Sequence, residues 1–171
     1  MPFHLLVVED STADVRLIRL GVARCQGCTV AFAEDGEVAL SILKREPPHQ
    51  TAPRPDLVLL DVNLPRLSGH ELLAILSESQ DLRSIPVVVF SGSPNPSDRA
   101  RAMASGAFTF VVKPGSLEPF VDTVAAIVLG WMEKKAGTTA PLPPLPPLEV
   151  EGLLEKGEDP APGSEAFPDP N

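Results

Sequence analysis

The sequence predicts an α/β fold, a doubly wound five-stranded parallel sheet in the order 2-1-3-4-5. Two observations carry the prediction. Short unbroken aliphatic runs, Leu5-Leu6-Val7-Val8, Leu57-Val58-Leu59-Leu60, Val87-Val88-Val89-Phe90 and Phe110-Val111-Val112, read as strands buried on both faces. Between them lie segments of helical periodicity, and strands alternating with helices build a right-handed doubly wound sheet. For five strands, order 2-1-3-4-5 puts the switch point between strands one and three.

Taken in order, a strand over 3–8 leads into a helix over 12–24, with Ser11 or Thr12 as N-cap and Val15, Leu17, Ile18, Leu20 and Val22 as its apolar stripe. A second strand spans 28–33, and a helix with Val38, Ala39, Ile42 and Leu43 inward follows Gly36. Residues 46–55 (EPPHQTAPRP) form a long proline-broken loop before the third strand at 56–60. A helix bearing Leu72, Leu73, Ile75 and Leu76 follows Ser68-Gly69. The fourth strand covers 86–90, and the helix over 97–105 stops at Gly106. The fifth strand is 108–112, and a last helix runs over 117–135.

That last helix carries a wide apolar surface. Phe120, Val124, Ile127, Val128 and Trp131 make one stripe, and Val121, Ala125, Leu129 and Met132 widen it beyond a core-facing sector. The surplus predicts a partner surface, most simply an isologous homodimer.

The chain of 171 residues divides by composition into a domain at 1–135 and a proline-rich acidic tail at 136–171. The formal net charge of -9 is unevenly spread: the domain holds 16 acidic and 13 basic residues, the tail 7 and 1. Such a domain has no electrostatic footprint for nucleic acid. The tail, with PLPPLPP at 141–147, cannot form a packed core and reads as disordered. No segment has the make-up of a secretory signal or a membrane span, so a cytoplasmic protein is expected. Cys25 and Cys28 have redox or zinc spacing, but without a second pair they read as reduced thiols away from the acidic residues.

The chemistry lies where the apolar runs end. Strand one ends at Glu9-Asp10, strand three at Asp61, strand four at Ser91 and strand five at Lys113-Pro114. Ligands in open parallel sheets bind at the carboxyl ends of the strands. Neighbouring strands lie about 4.8 Å apart, so Glu9, Asp10 and Asp61 meet there. Three clustered carboxylates repel and need a cation or a proton, and a hard divalent cation with oxygen ligands, Mg2+ or Mn2+ in its place, is the natural answer. A carboxylate beside such a cation, a lysine and a hydroxyl suit acceptance of a phosphoryl group as an acyl phosphate.

At these residues the chain resembles the response-regulator receiver domain of two-component signalling, through VVEDSTADVRLIRL, PDLVLLDVNLPRLSGHELL, IPVVVFSGS and FTFVVKP. The resemblance implies a flavodoxin-like receiver fold with Asp61 as phosphoacceptor, and Glu9 and Asp10 as the metal-binding acids, Asp10 the direct ligand. It also implies that Asn63 lends a backbone carbonyl to the metal, that Ser91 and Phe110 are the switch pair, and that Lys113 precedes a proline through a bond often cis. Gly92 departs from the pattern, which commonly has alanine or another small residue there. VEDSTAD, the 46–55 loop, LPRLSG and Trp131 resemble stand-alone regulators paired with bacterial and cyanobacterial phytochrome histidine kinases. The implied function is a single-domain regulator that takes a phosphoryl group from a kinase phosphohistidine onto Asp61. It would have intrinsic phosphotransfer and self-dephosphorylation chemistry without being a metabolic enzyme, and phosphorylation would alter the strand-five and last-helix surface. The alternatives are an aspartate-nucleophile phosphatase-like hydrolase, which typically needs a second acid where this chain has Asn63, and a phosphorylation-independent interaction module.

Overall fold

A computed structural model describes residues 2–137. The expected strands and helices form in the expected order: β1 Phe3–Val8, α1 Thr12–Val22, β2 Cys28–Ala33, α2 Gly36–Lys44, β3 Leu57–Leu60, α3 Gly69–Glu78, β4 Val87–Ser91, α4 Pro96–Ala104, β5 Thr109–Val112 and α5 Leu117–Lys135. The strands pair in parallel in the order β2-β1-β3-β4-β5. Of the proline-rich tail expected at 136–171, residues 138–171 lie outside the described residues.

Alternate side chains of the buried strands point into two cores. Leu6, Val8, Val58, Leu60, Val87, Val89 and Phe110 pack under α2, α3 and α4, whereas Leu5, Val7, Leu57, Leu59, Val88 and Phe90 pack under α1 and α5. Strand β2 is an edge and keeps a half-exposed face, where Arg19 lies over the Phe32 ring.

Four of the five helix starts have a side-chain cap, and Ser116 at the start of α5 makes no such bond. Ser11, Asp35, Ser68 and Asn95 accept a backbone N–H of the first turn of α1, α2, α3 and α4, and Ser68 with Glu71 completes a capping box. Asn95 and Pro96 start α4 one residue before the expected Ser97, because proline suits the first turn. Helix α1 ends at Val22 rather than residue 24.

The broad apolar face of α5 has a different explanation from the expected one. Val121 and Ala125, read as surplus, are buried along with the core stripe. Helix α1 covers them: a Cβ on Gly21 would lie 2.8 Å from Val124 Cβ and 2.9 Å from the Val121 carbonyl oxygen. Two helices in such close contact share their apolar faces, so most of the surplus is consumed within the domain. Leu129 remains exposed on α5 and Leu20, expected to face the core, is exposed on α1. The Lys113–Pro114 bond also differs from expectation, since the cis peptide among the described residues is Pro47–Pro48.

Candidate functional site

The parallel ladder positions the site. The last pairing of β1 with β3 is Val8 with Leu60, and the Asp61 N–H still donates to the Val8 carbonyl at 3.0 Å. The Glu9 N–H donates to Ala33 O at 3.0 Å, and the Lys113 N–H to Ser91 O at 2.8 Å. Glu9, Asp61 and Lys113 are therefore held by sheet hydrogen bonds one residue beyond their strands, with only their side chains free to move.

Those side chains converge. Oxygens of Glu9, Asp10 and Asp61 lie within 4.8 Å of one another. Lys113 Nζ donates to Glu9 Oε2 at 2.6 Å, Asp61 Oδ2 at 2.7 Å and Asp14 Oδ2 at 2.7 Å. Glu9 and Asp61 are buried, while Asp10 sits on the exposed side and takes no part in the Lys113 ion-pair cluster. Three oxygen donors from carboxylates, one of them open to solvent, fit a hard divalent cation that keeps part of its water shell.

The electrostatics follow from burial against charge. Burial pushes the Glu9 carboxyl above its ordinary pKa, with Lys113 and the Ser11 N–H pulling the other way. Burial alone would lower Lys113, but its hydrogen bonds to Asp14, Asp61 and Glu9 outweigh that and hold it above the ordinary lysine value. The ammonium is charged at any physiological pH. Its position is further bounded by the Phe90 ring, 6.0 Å away, which packs edge-on to Phe120.

The flanking loops carry the remaining expected residues. Asn63 is exposed and its N–H donates to Asp61 Oδ1 at 3.0 Å, so the loop after β3 turns its backbone toward the acid. Ser91 is fully buried and accepts the Ser93 N–H at 3.3 Å. Phe110 is buried in the core under α4, and Arg99 of α4 donates to its carbonyl. A Cβ at Gly92 would meet nothing within 4 Å, so the departure there leaves open space beside the site. Cys25 and Cys28 are free thiols; burial pushes Cys28 up to about 11, which keeps it protonated and unreactive.

Two features escaped the sequence reading. Asp14 joins the Lys113 cluster because Ser11 caps α1 and places Asp14 in its first turn; the E-D-S-x-x-D spacing was the available signal. Ser93 hydrogen-bonds Asp98 at 2.5 Å and ties the loop after Ser91 to α4.

Comparison with known proteins agrees with this geometry. The response regulator receiver domain family matches residues 5–125. Probable methanogenesis regulatory protein FilR2 of Methanothrix harundinacea is 37% identical over 135 residues, 77% of this chain and 84% of that protein. Response regulator Rcp1 of Synechocystis sp. is 33% identical over 133 residues, 77% of this chain and 90% of that protein. The Mn2+-bound crystal structure of Rcp1 superimposes with a TM-score of 0.72 at 32% identity, covering 83% of this chain and 99% of that one. The phosphorylated cyanobacterial phytochrome response regulator RcpA superimposes with a TM-score of 0.76 at 34% identity, covering 84% and 99%. With five parallel strands in this order and acids, serine and lysine at their carboxyl ends, the chain belongs to the response regulator receiver family and has its flavodoxin-like fold.

Proposed function

We propose that this receiver accepts a phosphoryl group onto Asp61 from the phosphohistidine of a sensor histidine kinase, in a Mg2+- or Mn2+-dependent reaction. One observation carries the reading: Asp61 Oδ2 lies 2.7 Å from the Lys113 ammonium while its carboxylate shares a 4.8 Å cluster with Glu9 and Asp10. The carboxylates of Glu9, Asp10 and Asp61, with the backbone carbonyl of Asn63, would hold the cation. Bound there, the cation would neutralise charge on the transferring oxygens. An Asp61 oxygen forms the new O–P bond as the P–N bond to histidine breaks, and the imidazole keeps the electron pair. Lys113 turns a donor to a phosphoryl oxygen, and the Ser91 hydroxyl donates to another.

The kinase partner is proposed to be of the phytochrome type, supported by the likeness to a regulator named for a phytochrome. The short lengths of Rcp1 and RcpA, nearly spanned by this chain, support action as a single-domain regulator whose output runs through the β5 and α5 surface. No described helix is long and apolar enough to cross a membrane, in keeping with a cytoplasmic partner of such a kinase.

Labelling by radioactive acetyl phosphate or a phosphorylated kinase tests the reading. The expected result is Mg2+-dependent label on the wild type, none with chelator and none on Asp61→Asn. Stable label on Asp61→Asn would overturn the assignment.

A further inference from the structure

The Lys113 ammonium has three N–H donors, and the structure spends them on three separate carboxylates, those of Glu9, Asp14 and Asp61. Asp14 belongs to neither the cation cluster nor the proposed acceptor. Its place is nevertheless fixed. The Ser11 N–H donates to Glu9 Oε1, the Ser11 hydroxyl accepts the Asp14 N–H, and Asp14 and Glu9 both accept from Lys113. This closes a ring of hydrogen bonds through Glu9, Ser11, Asp14 and Lys113. The lysine side chain inside it is 8% exposed and the Asp14 side chain 27%.

The geometry points to Asp14 as a positioning residue for Lys113: with Glu9 it anchors two donors of the ammonium, so that a single donor is left to pass from Asp61 to a phosphoryl oxygen. The phosphoryl half of this inference rests on the proposed function; the anchoring half does not. Without Asp14 the ammonium keeps one fixed anchor, and a long four-carbon arm held at one point rotates about it. The new phosphoryl oxygens then meet a poorly aimed donor. An acid in the first turn of a helix can also serve only the helix dipole. In that role it would leave Lys113 unaffected, which separates the two readings.

The test uses the full chain with 15N-labelled lysine, first without metal. The Lys113 ammonium, identified by its loss in Lys113→Arg, should give a slowly exchanging resonance in the wild type. Asp14→Ala should broaden it beyond detection. Asp14→Asn, which keeps an acceptor of the same shape without the charge, should leave it visible but shifted. With Mg2+ and acetyl phosphate, labelling of Asp14→Ala should slow by about three- to tenfold, the loss of one partly exposed charge-assisted hydrogen bond. Its Mn2+ affinity should stay within about twofold of wild type, since the cation cluster is intact. A wild-type ammonium signal and labelling rate in Asp14→Ala would overturn the inference. So would a loss of Mn2+ affinity as large as that of Asp10→Asn, which would make Asp14 part of the cation site. If the wild type itself takes no label, the phosphoacceptor reading falls, and the ammonium spectrum still decides whether Asp14 anchors Lys113.

Discussion

Gly69, the first residue of α3, packs directly on the backbone of Asp61. A Cβ at Gly69 would lie 2.3 Å from the Asp61 carbonyl oxygen and 2.6 Å from Val62 Cα, distances no real side chain tolerates. The Gly69 N–H also donates to Val62 O at 3.1 Å. Helix α3 is thus the abutment that fixes where the proposed phosphoacceptor stands. Gly69→Ala must push backbone away from backbone, so it should destabilise the fold by about 1–3 kcal/mol, as overpacking does. Urea unfolding checks this, and a loss below about 0.5 kcal/mol, the range of an ordinary surface change, would show that the abutment yields freely.

Lys113 should be structural as well as chemical. It is the cation that neutralises two buried acids, Glu9 and Asp61. Lys113→Ala leaves them facing one another unpaired, a loss of about 3 kcal/mol, the lower end for removing one partner of a buried ion pair. A divalent cation bound between the same acids would restore much of it by binding the folded state alone. Unfolding of Lys113→Ala with chelator and with Mg2+ should therefore differ far more than for the wild type. An equal deficit in both conditions would mean the acids do not share the cation.

Asp10 is the exposed member of the acid cluster and the one Lys113 does not engage. Its charge is uncommitted, so Asp10→Asn should weaken Mn2+ binding by at least about tenfold, or 1.4 kcal/mol, with little effect on folding. Calorimetric titration of Mn2+ decides it. Affinity within about twofold of wild type would move the cation away from Asp10.

The legibility of the sequence followed from what each residue depends on. Glu9, Asp10, Asp61, Ser91 and Lys113 were readable because a strand end is set by its own aliphatic run, and parallel order then brings the ends together. Asp14 was not, because its side-chain direction depends on which residue caps α1. The α5 face was misread because a single helix cannot reveal that Gly21 of a distant helix opens room for it.

His70 gives a pH dependence outside the acid cluster. It is buried at the start of α3, and its Nδ1 finds no partner among the described residues. Burial lowers its pKa below the ordinary 6.5; Arg101 of α4 adds to this and Asp98 of α4 opposes it. The unfolded chain therefore binds the proton more readily than the folded one. The stabilising contribution is fully present above about pH 6.5 and declines as the pH falls through the lowered folded value. Glu9 acts oppositely, since its raised pKa favours the fold as it protonates. Comparison with His70→Gln isolates the histidine: wild-type stability should fall more steeply than the variant's below pH 6.5. Parallel pH profiles would show that His70 titrates alike in both states.

The last prediction concerns association. With Val121, Ala125 and Val128 inside the domain, a dimer through β5 and α5 must use what remains outside. Phe108, 44% exposed just before β5, packs edge-on against Trp131 with centroids 4.8 Å apart, and Lys134 lies over both rings. Leu117 on α5 is also exposed, whereas Leu129 faces the α1 side beside Arg24 and Asp122. A pair of rings held rigid at an element's edge can pack against its copy with little further loss of side-chain freedom, which is how aromatic anchors serve interfaces. Substituting Val128 would only damage the core, so the informative variant is Phe108→Asp, which should fold normally and place a charge in the centre of the contact. Sedimentation with and without beryllofluoride should show a wild-type dimer that phosphoryl mimicry strengthens or weakens, and a monomeric Phe108→Asp. A wild type that remains monomeric in both states at high concentration would eliminate the dimer and leave a monomeric phosphate carrier as the better description.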